Sequence, residues 1–158
     1  MTSLKELIVS GKTDGISDSV TILEILRYFG ISKSINNNDT LLGTITVDYD
    51  YDGFTFTKEK KIIALSSKFD DFDINEAHKY KSIYSDFIEC GAMTRQEWFD
   101  FLLEHRMRWD EFRTYSDEYE NFTDYFGKSM DESKEKKYSL SFSLCNNEDR
   151  ILWVSMSY

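Results

Sequence analysis

The sequence has no proline, two cysteines, two histidines and few basic residues among its 158 positions. Two cysteines, Cys90 and Cys145, are too few for a disulfide scaffold, so both are expected to be reduced thiols in a cytosolic protein. No apolar run approaches the roughly 18 residues of a membrane span, and the N-terminus lacks the pattern of a secretory signal. With no proline and no Gly/Ser-rich linker, residues 1–158 are expected to form one domain.

The composition favours a folded, acidic protein. Hydrophobic residues make up 41% and aromatic residues 16% of the chain, which is enough for a core and argues against disorder. The chain carries 19 Lys and Arg against 29 Asp and Glu, a net charge of −10. Such a protein repels nucleic-acid phosphates and attracts basic surfaces. A basic protein is therefore the expected partner, and neither nucleic acid nor a membrane is.

Capping and glycine patterns predict several helices. Ser3 with Glu6 and Thr94 with Glu97 have capping-box spacing. The first box opens a helix that Gly11 ends, and further helices are predicted over residues 20–29 and 73–91. A polar loop is predicted over residues 35–40. A last helix is predicted from an aromatic stripe at spacings of three and four, formed by Trp109, Phe112, Tyr115, Tyr119, Phe122 and Phe126.

Alternation of apolar and polar residues predicts strands over residues 44–51, 54–57 and 62–65. Asp52-Gly53 is typical of a two-residue type I′ turn between the first two. A terminal hairpin is predicted from 138–144 and 151–154, turning at Asn146-Asn147. These elements predict an α+β fold, with an antiparallel sheet of about five strands packed against four to five helices.

A short charged motif recurs along the chain. Lys58-Glu59-Lys60-Lys61 is repeated at residues 134–137, each time just before a predicted strand. Two helices also precede strands in each half. The pattern raises the hypothesis of a diverged internal duplication.

The segment from Asp48 to Glu59 matches the EF-hand calcium-loop pattern, since Asp48, Asp50 and Asp52 alternate, Gly53 follows and Glu59 closes it. EF-hand loops lie between helices, however, whereas residues 43–47 alternate as a strand. The other interpretation places Asp48 and Asp50 on the solvent face of a strand. A calcium-binding module using Asp48, Asp50, Asp52 and Glu59 stays open as the alternative function.

Motifs for catalysis are sparse. The sequence has no Gly-x-Ser-x-Gly elbow, phosphate-binding glycine loop or zinc-ligand spacing. His78 and His105 fall on predicted helices, and nothing in the sequence brings either to Cys90 or Cys145. The chain is therefore not expected to be an enzyme or to hold a cofactor, although an enzyme of unknown chemistry is a further alternative.

Acidic clusters are the main candidate for function. Six acidic residues and one basic residue, Arg113, lie between positions 110 and 124. Concentrated negative charge speeds association with a basic partner, and aromatic residues beside it can anchor an interface. The predicted partner-binding residues of this first group are Asp110, Glu111, Asp117, Glu118, Glu120, Asp124, Trp109 and Tyr115. Those of a second group are Asp48, Tyr49, Asp50, Tyr51 and Asp52.

The order of these elements resembles a known class. An amphipathic helix ends in Tyr28-Phe29-Gly30, a hairpin over 43–56 and a strand over 62–65 follow, and a later helix begins Met93-Thr94-Arg95-Gln96-Glu97-Trp98-Phe99 before the terminal hairpin. In this arrangement the chain resembles the small acidic immunity proteins of bacterial polymorphic and contact-dependent toxin systems.

That resemblance implies a cytoplasmic protein that binds a cognate toxin domain, often a nuclease, and blocks its active site. A nuclease cleft is basic because it binds a polyanion, so an acidic domain can occupy it as a charge mimic. The sequence thus predicts stoichiometric, electrostatically steered inhibition of a basic toxin domain through the two acidic groups.

Overall fold

The computed structural model describes residues 1–38, 43–118, 121–129 and 138–158. Within them the chain forms eight strands and five short helices. The helices are α1 (Leu4–Ser10), α2 (Ile22–Phe29), a 3₁₀ helix (Ile74–Lys79), α3 (Phe87–Ala92) and α4 (Arg95–Glu104). The strands are β1 (Ser34–Asn38), β2 (Thr44–Asp48), β3 (Asp52–Thr57), β4 (Ile62–Lys68), β5 (Met107–Ser116), β6 (Asn121–Ser129), β7 (Ser139–Cys145) and β8 (Ile151–Ser157).

All eight strands form one antiparallel sheet in the order β1-β2-β3-β4-β8-β7-β6-β5. The prediction of about five strands packed against four to five helices is therefore wrong, because the fold is mostly sheet. The sheet consists of two four-stranded meanders, β1–β4 and β5–β8. They join at a seam where β4 pairs with β8, with Leu65 opposite Met156. Strand order is symmetric about this seam.

The core lies against one face of the sheet. Phe54, Leu65 and Met156 are neighbours across three strands and are buried. The helices contribute buried residues to the same cluster, among them Leu7 and Trp98. Alternate strand residues point to opposite faces, so this apolar set defines the inner face.

The opposite face is polar. Its central residues are small hydroxyl-bearing side chains that are partly exposed, including Thr46, Thr55, Ser66, Ser141 and Ser155. We call it the polar face. It runs across the sheet from β1 to β5, and it carries large rings at Trp153 of β8 and at the β5–β6 end.

The locally encoded helix caps are confirmed. The Ser3 hydroxyl accepts a hydrogen bond from the Glu6 N–H, and Gly11 ends α1 in the left-handed conformation with φ of 74°. Thr94 and Glu97 form the capping box of α4. Helix α2 begins later than predicted, at Ile22, because Thr21 supplies its cap.

Two other predictions are wrong. The loop predicted over 35–40 is strand β1 as far as Asn38, and positions 39 and 40 lie outside the described residues. The helix predicted over 73–91 is broken. Its first part is the 3₁₀ helix, its last part is α3, and Tyr80 between them has extended backbone.

The helix predicted from the aromatic stripe is a β-hairpin. Residues 107–116 form β5 and residues 121–129 form β6, with Tyr115 opposite Phe122. A β-bulge lies between Glu111 and Arg113, so that Phe112 is the extra residue on β5. The bulge shifts the alternation of buried and exposed positions, which hides the strand from a search for period two.

The predicted turn at Asp52-Gly53 is displaced. Tyr49 and Asp52 exchange backbone hydrogen bonds of 2.8 and 3.1 Å, which makes Asp50-Tyr51 the two central residues of the turn. Within the described residues, Lys60 and Arg106 are the only non-glycine positions with positive φ. The turn is therefore not type I′, and Gly53 belongs to β3.

The duplication hypothesis gains no support from the charged motif. Its first copy connects β3 to β4, whereas its second copy falls between β6 and β7, which is a different position in the second meander. Residues 134–137 lie outside the described residues. Among the described helices, none is long and apolar enough to cross a membrane.

Candidate functional site

The Asp48–Asp52 group is divided between the two faces of the sheet. Asp48 lies on the polar face and accepts hydrogen bonds from Ser34 (3.2 Å) and Asn36 (3.3 Å). Asp50 is exposed in the turn and pairs with Lys33 at 3.1 Å. Asp52 points to the inner face and is buried. These three carboxylates therefore do not form one acidic surface.

Asp52 holds three chain segments together. Its carboxylate accepts hydrogen bonds from the Ser67 hydroxyl (2.5 Å), the Ser82 hydroxyl (2.7 Å) and the Ile83 N–H (3.0 Å). Burial raises the pKa of the Asp52 carboxyl, while these donors oppose the increase. This arrangement joins β3, β4 and the segment before α3, so Asp52 is a structural residue.

The two tyrosines of this group are packing residues as well. The ring of Tyr49 contacts Phe29 and Phe54, and its hydroxyl donates to the Gly30 carbonyl at 3.0 Å. The Tyr51 ring contacts Tyr80 and Phe87. Both rings therefore pack on the inner face of the sheet. Strand alternation alone did not predict this position.

The four carboxylates of the calcium alternative do not come together. Asp48 and Asp52 are on opposite faces, and Glu59 lies beyond the other end of β3 from Asp52. A strand advances by about 3.4 Å per residue, so Asp52 and Glu59 are on the order of 20 Å apart. Within the described ranges, no group of three or more His, Cys, Asp or Glu side chains is placed to hold a metal ion.

The acidic residues of the β5–β6 hairpin are also distributed over several environments. Asp110 is exposed on β5, and Asp117 and Glu118 are exposed where β5 ends. Glu111 accepts a hydrogen bond from the Thr114 hydroxyl at 2.8 Å. Glu120 lies outside the described residues. The described acids of this group therefore form a rim around one end of the sheet and do not lie on the predicted helix.

Asp124 is the exception, because it is buried on the polar face. It accepts hydrogen bonds from Ser143 and from Arg113 Nε, the latter at 3.0 Å. The Arg113 side chain lies between two rings, with its guanidinium carbon 4.8 Å from the centre of Tyr115 and 5.5 Å from that of Phe112. Asp124 therefore positions an arginine and does not contribute free negative charge to the surface.

Four aromatic rings surround this ion pair. The Phe112 and Phe126 ring centres are 5.0 Å apart, and those of Tyr115 and Phe122 are 4.5 Å apart. Phe112 is 57% exposed and Phe126 is 41% exposed. We call Phe112, Tyr115, Phe122, Phe126 and Arg113 the aromatic cluster. It lies at the end of the polar face where the small hydroxyl side chains give way to large rings.

Trp109 does not belong to this cluster. Its ring stacks on Phe99 of α4 at 4.2 Å with an angle of 4° between the planes. It therefore fixes α4 to β5 on the inner face. Of the two predicted aromatic anchors, only Tyr115 lies at the aromatic cluster.

A second acidic region was missed by the sequence analysis. Residues of α1, α3 and α4 line a groove of about 460 Å³ whose floor is apolar at Ala92, Met93 and Phe101. Its carboxylates are Glu89, Glu97, Asp100 and Glu104. Lys5 occupies one side, 2.5 Å from Glu89 and 5.8 Å above the Phe101 ring. The spacing of the three acids on α4 was the feature of the sequence that could have indicated this acidic groove.

The nucleophile candidates are separated. Cys90 is buried in the core, and burial raises the pKa of its thiol, so the thiolate form is suppressed at neutral pH. His105 caps the end of α4 and contacts the Phe101 ring, whereas His78 is in the 3₁₀ helix. Neither histidine has a hydrogen bond to Cys90 or Cys145 among the contacts of the described residues.

Comparison of the chain with protein families, with curated proteins and with solved structures found no match. The function is therefore argued from the geometry of this molecule and from the composition of its surfaces.

Proposed function

We propose that the chain binds and neutralises a basic protein by stoichiometric occlusion, and that the aromatic cluster is the centre of its docking surface. The observation that carries this proposal is the pair of exposed rings, Phe112 and Phe126, beside Arg113. Tyrosine, tryptophan and arginine dominate the binding energy of protein interfaces. Two exposed phenylalanine rings in contact are unfavourable in water unless a partner covers them.

The surroundings of the aromatic cluster fit an interface. A docking surface has an apolar centre and a polar rim. Here the exposed carboxylates Asp110, Asp117 and Glu118 lie on β5 or just beyond its end. Together with the net charge of −10, they favour approach of a basic protein and raise its association rate.

The proposal agrees with the resemblance to immunity proteins, which implies a cytoplasmic inhibitor of a cognate toxin domain. A nuclease toxin has a basic cleft that an acidic rim complements. In this arrangement the carboxylates steer the encounter, and the rings with Arg113 supply the binding energy. The second predicted group, at Asp48–Asp52, has no part in it.

The test uses the C-terminal domain of the protein encoded by the reading frame immediately upstream, purified and titrated calorimetrically with the full chain. We expect a one-to-one complex. Replacing Phe112 and Phe126 together by serine should weaken binding at least tenfold, because the apolar centre is lost. Ile31→Ser is the matched control, since Ile31 is 98% exposed and lies at the end of α2.

Charge reversal tests the rim separately. Asp117→Lys combined with Glu118→Lys should slow association and reduce its dependence on salt, with little change in dissociation. Unchanged affinity of the double serine variant, together with an unchanged association rate after charge reversal, would contradict the proposed docking surface.

A further inference from the structure

The outer edge of β5 is open to pairing. β5 is an end strand of the sheet and, at ten residues, its longest strand. It pairs with β6 on one side and with no described strand on the other. Residues 110–114 are all exposed. An edge strand presents a row of backbone N–H and C=O groups that can accept another strand.

The hydrogen-bond pattern identifies the groups that face outward. The Asn146 N–H donates to the Asn121 carbonyl at 3.0 Å, so the backbone of Asn121 points toward β7. Because this direction alternates along a strand, the backbones of Asp124 and Phe122 point toward β5 and pair with Arg113 and Tyr115.

The alternation continues on β5. Because Arg113 and Tyr115 direct their backbone groups to β6, Thr114 and Ser116 direct theirs to the outer edge, while the bulge interrupts the alternation at Glu111 and Phe112. The N–H groups of Thr114 and Ser116 are the donors that an added strand would use.

The other edge of the sheet is a less suitable template. β1 has five residues, and the side chains of Asn36 and Asn38 are bonded to β2, at 3.3 Å to Asp48 and 3.1 Å to Thr46. It carries no aromatic side chain. The two edges therefore differ in length and in the side chains that a partner strand would meet.

We propose that the partner binds by strand addition, in which an extended segment of the basic partner protein pairs with the outer edge of β5 beside the aromatic cluster. This inference rests on the proposed function and specifies its mode of binding. Paired backbone groups would set the register, and the cluster would receive the side chains of alternate residues.

The net charge of the chain indicates which kind of segment would pair with the outer edge of β5. A second copy of this chain would bring a net charge of −10 against the same charge, which opposes self-association. On β5 itself, Arg108 and Arg113 balance Asp110 and Glu111, so it is the net charge of the whole chain that favours a segment of a basic protein.

The test measures amide hydrogen exchange by NMR on the full chain, alone and bound to the upstream-encoded toxin domain. We expect the Thr114 and Ser116 amides to become protected in the complex, by at least tenfold in exchange rate. An interface made by side chains alone would leave these amides exchanging as in the free chain, and that result would overturn the inference while the complex itself upheld the proposed function.

A pair of proline variants gives a second measurement. Thr114→Pro removes an outward N–H while keeping the backbone bonds to β6, and should weaken binding at least tenfold relative to Thr114→Ala, which likewise loses the hydroxyl contact with Thr123 (3.1 Å). Asn37→Pro is the matched control at an outward position of β1, because Asn36 and Asn38 are the residues paired toward β2. Equal affinity of both variants and the unaltered chain would also overturn the inference.

The remaining outcomes are distinguishable. Absence of any complex contradicts the proposed function and strand addition together. Protection of the same two amides in the free chain, increasing with its own concentration, identifies a second copy as the occupant and contradicts a basic partner segment.

Discussion

At the residue scale, Asp52 has a structural role that its position in the sequence did not predict. In the sequence it is one of three alternating acids beside a glycine, which is typical of a turn or a calcium loop. In the structure it is 2% exposed and accepts three hydrogen bonds. Its partners Ser67, Ser82 and Ile83 are 15 to 31 positions away, so no local pattern could have predicted the contacts.

The raised pKa of Asp52 has a consequence for stability. Folded Asp52 holds its proton more tightly than the unfolded chain, whose carboxyl has a pKa near 3.8. The charged form is therefore unfavourable in the fold, and stability attributable to Asp52 rises as pH falls through its folded pKa, levelling off below the unfolded value. Asp52→Asn removes this titration.

We expect the free energy of unfolding of the native chain, minus that of Asp52→Asn, to increase on going from pH 7 to pH 4. At pH 7 the variant should lose about 1–3 kcal/mol, because an amide group meets at least one donor without accepting from it. Urea unfolding at several pH values measures both quantities. Asp50→Asn, exposed in the adjacent turn, is the control, and an equal pH dependence in the two variants would contradict this account.

At the element scale, the predictions that succeeded rest on local interactions. The caps at Ser3 and Thr94 join residues three positions apart, so the sequence contains all the information needed. The prediction of a helix in place of the β5–β6 hairpin failed for an identifiable reason. The bulge at Phe112 breaks the alternation, and the connection after Ser116 has no glycine, asparagine or proline, so that Ser116-Asp117 is the one turn signal there.

The candidate site was predicted only in part for the same reason. Tyr115, Asp110, Asp117 and Glu118 do lie at one end of the sheet. Phe112 and Phe126 were assigned to the aromatic stripe of a helix, although they are exposed rings of a hairpin. Which face of a strand a residue occupies depends on pairing register, and one bulge reverses it.

The two capping boxes provide a prediction about α4 and α2. Thr94→Ala should destabilise the protein by about 1 kcal/mol, because α4 begins with an unsatisfied N–H and carries the buried residues Trp98 and Leu102. Thr21→Ala removes the same box from α2, where Ile25 is the one fully buried residue. That helix can fray locally, so the loss should be smaller. Denaturant midpoints measure both, and the reverse order would contradict the assigned roles.

At the scale of the whole molecule, the sheet depends on a seam that no short-range pattern encodes. Terminal hairpin β7–β8 was predicted from its alternation and turn. Its insertion beside β4, which places Leu65 opposite Met156, joins positions 91 apart in sequence. Long-range pairings of this kind are fixed by the burial of a common face, and only the complete set of strands determines that face.

The continuous sheet predicts that the two meanders unfold as one unit. All three tryptophans, Trp98, Trp109 and Trp153, lie in the second half of the chain, so fluorescence reports on that half alone. Val47→Ala in β2 and Val154→Ala in β8 each remove a fully buried valine, one from each meander. Each should cost about 2 kcal/mol through lost burial and the cavity left behind.

If the seam couples the halves, Val47→Ala shifts the tryptophan transition as far as Val154→Ala does, and the shift coincides with that seen by far-ultraviolet circular dichroism. If the meanders are independent, Val47→Ala leaves the tryptophan transition in place and splits the dichroism curve in two. The comparison decides whether contacts between β4 and β8 join two local folds into a single cooperative sheet, since Val47 lies in β2, outside both seam strands, whereas Val154 lies opposite Ser67 of β4.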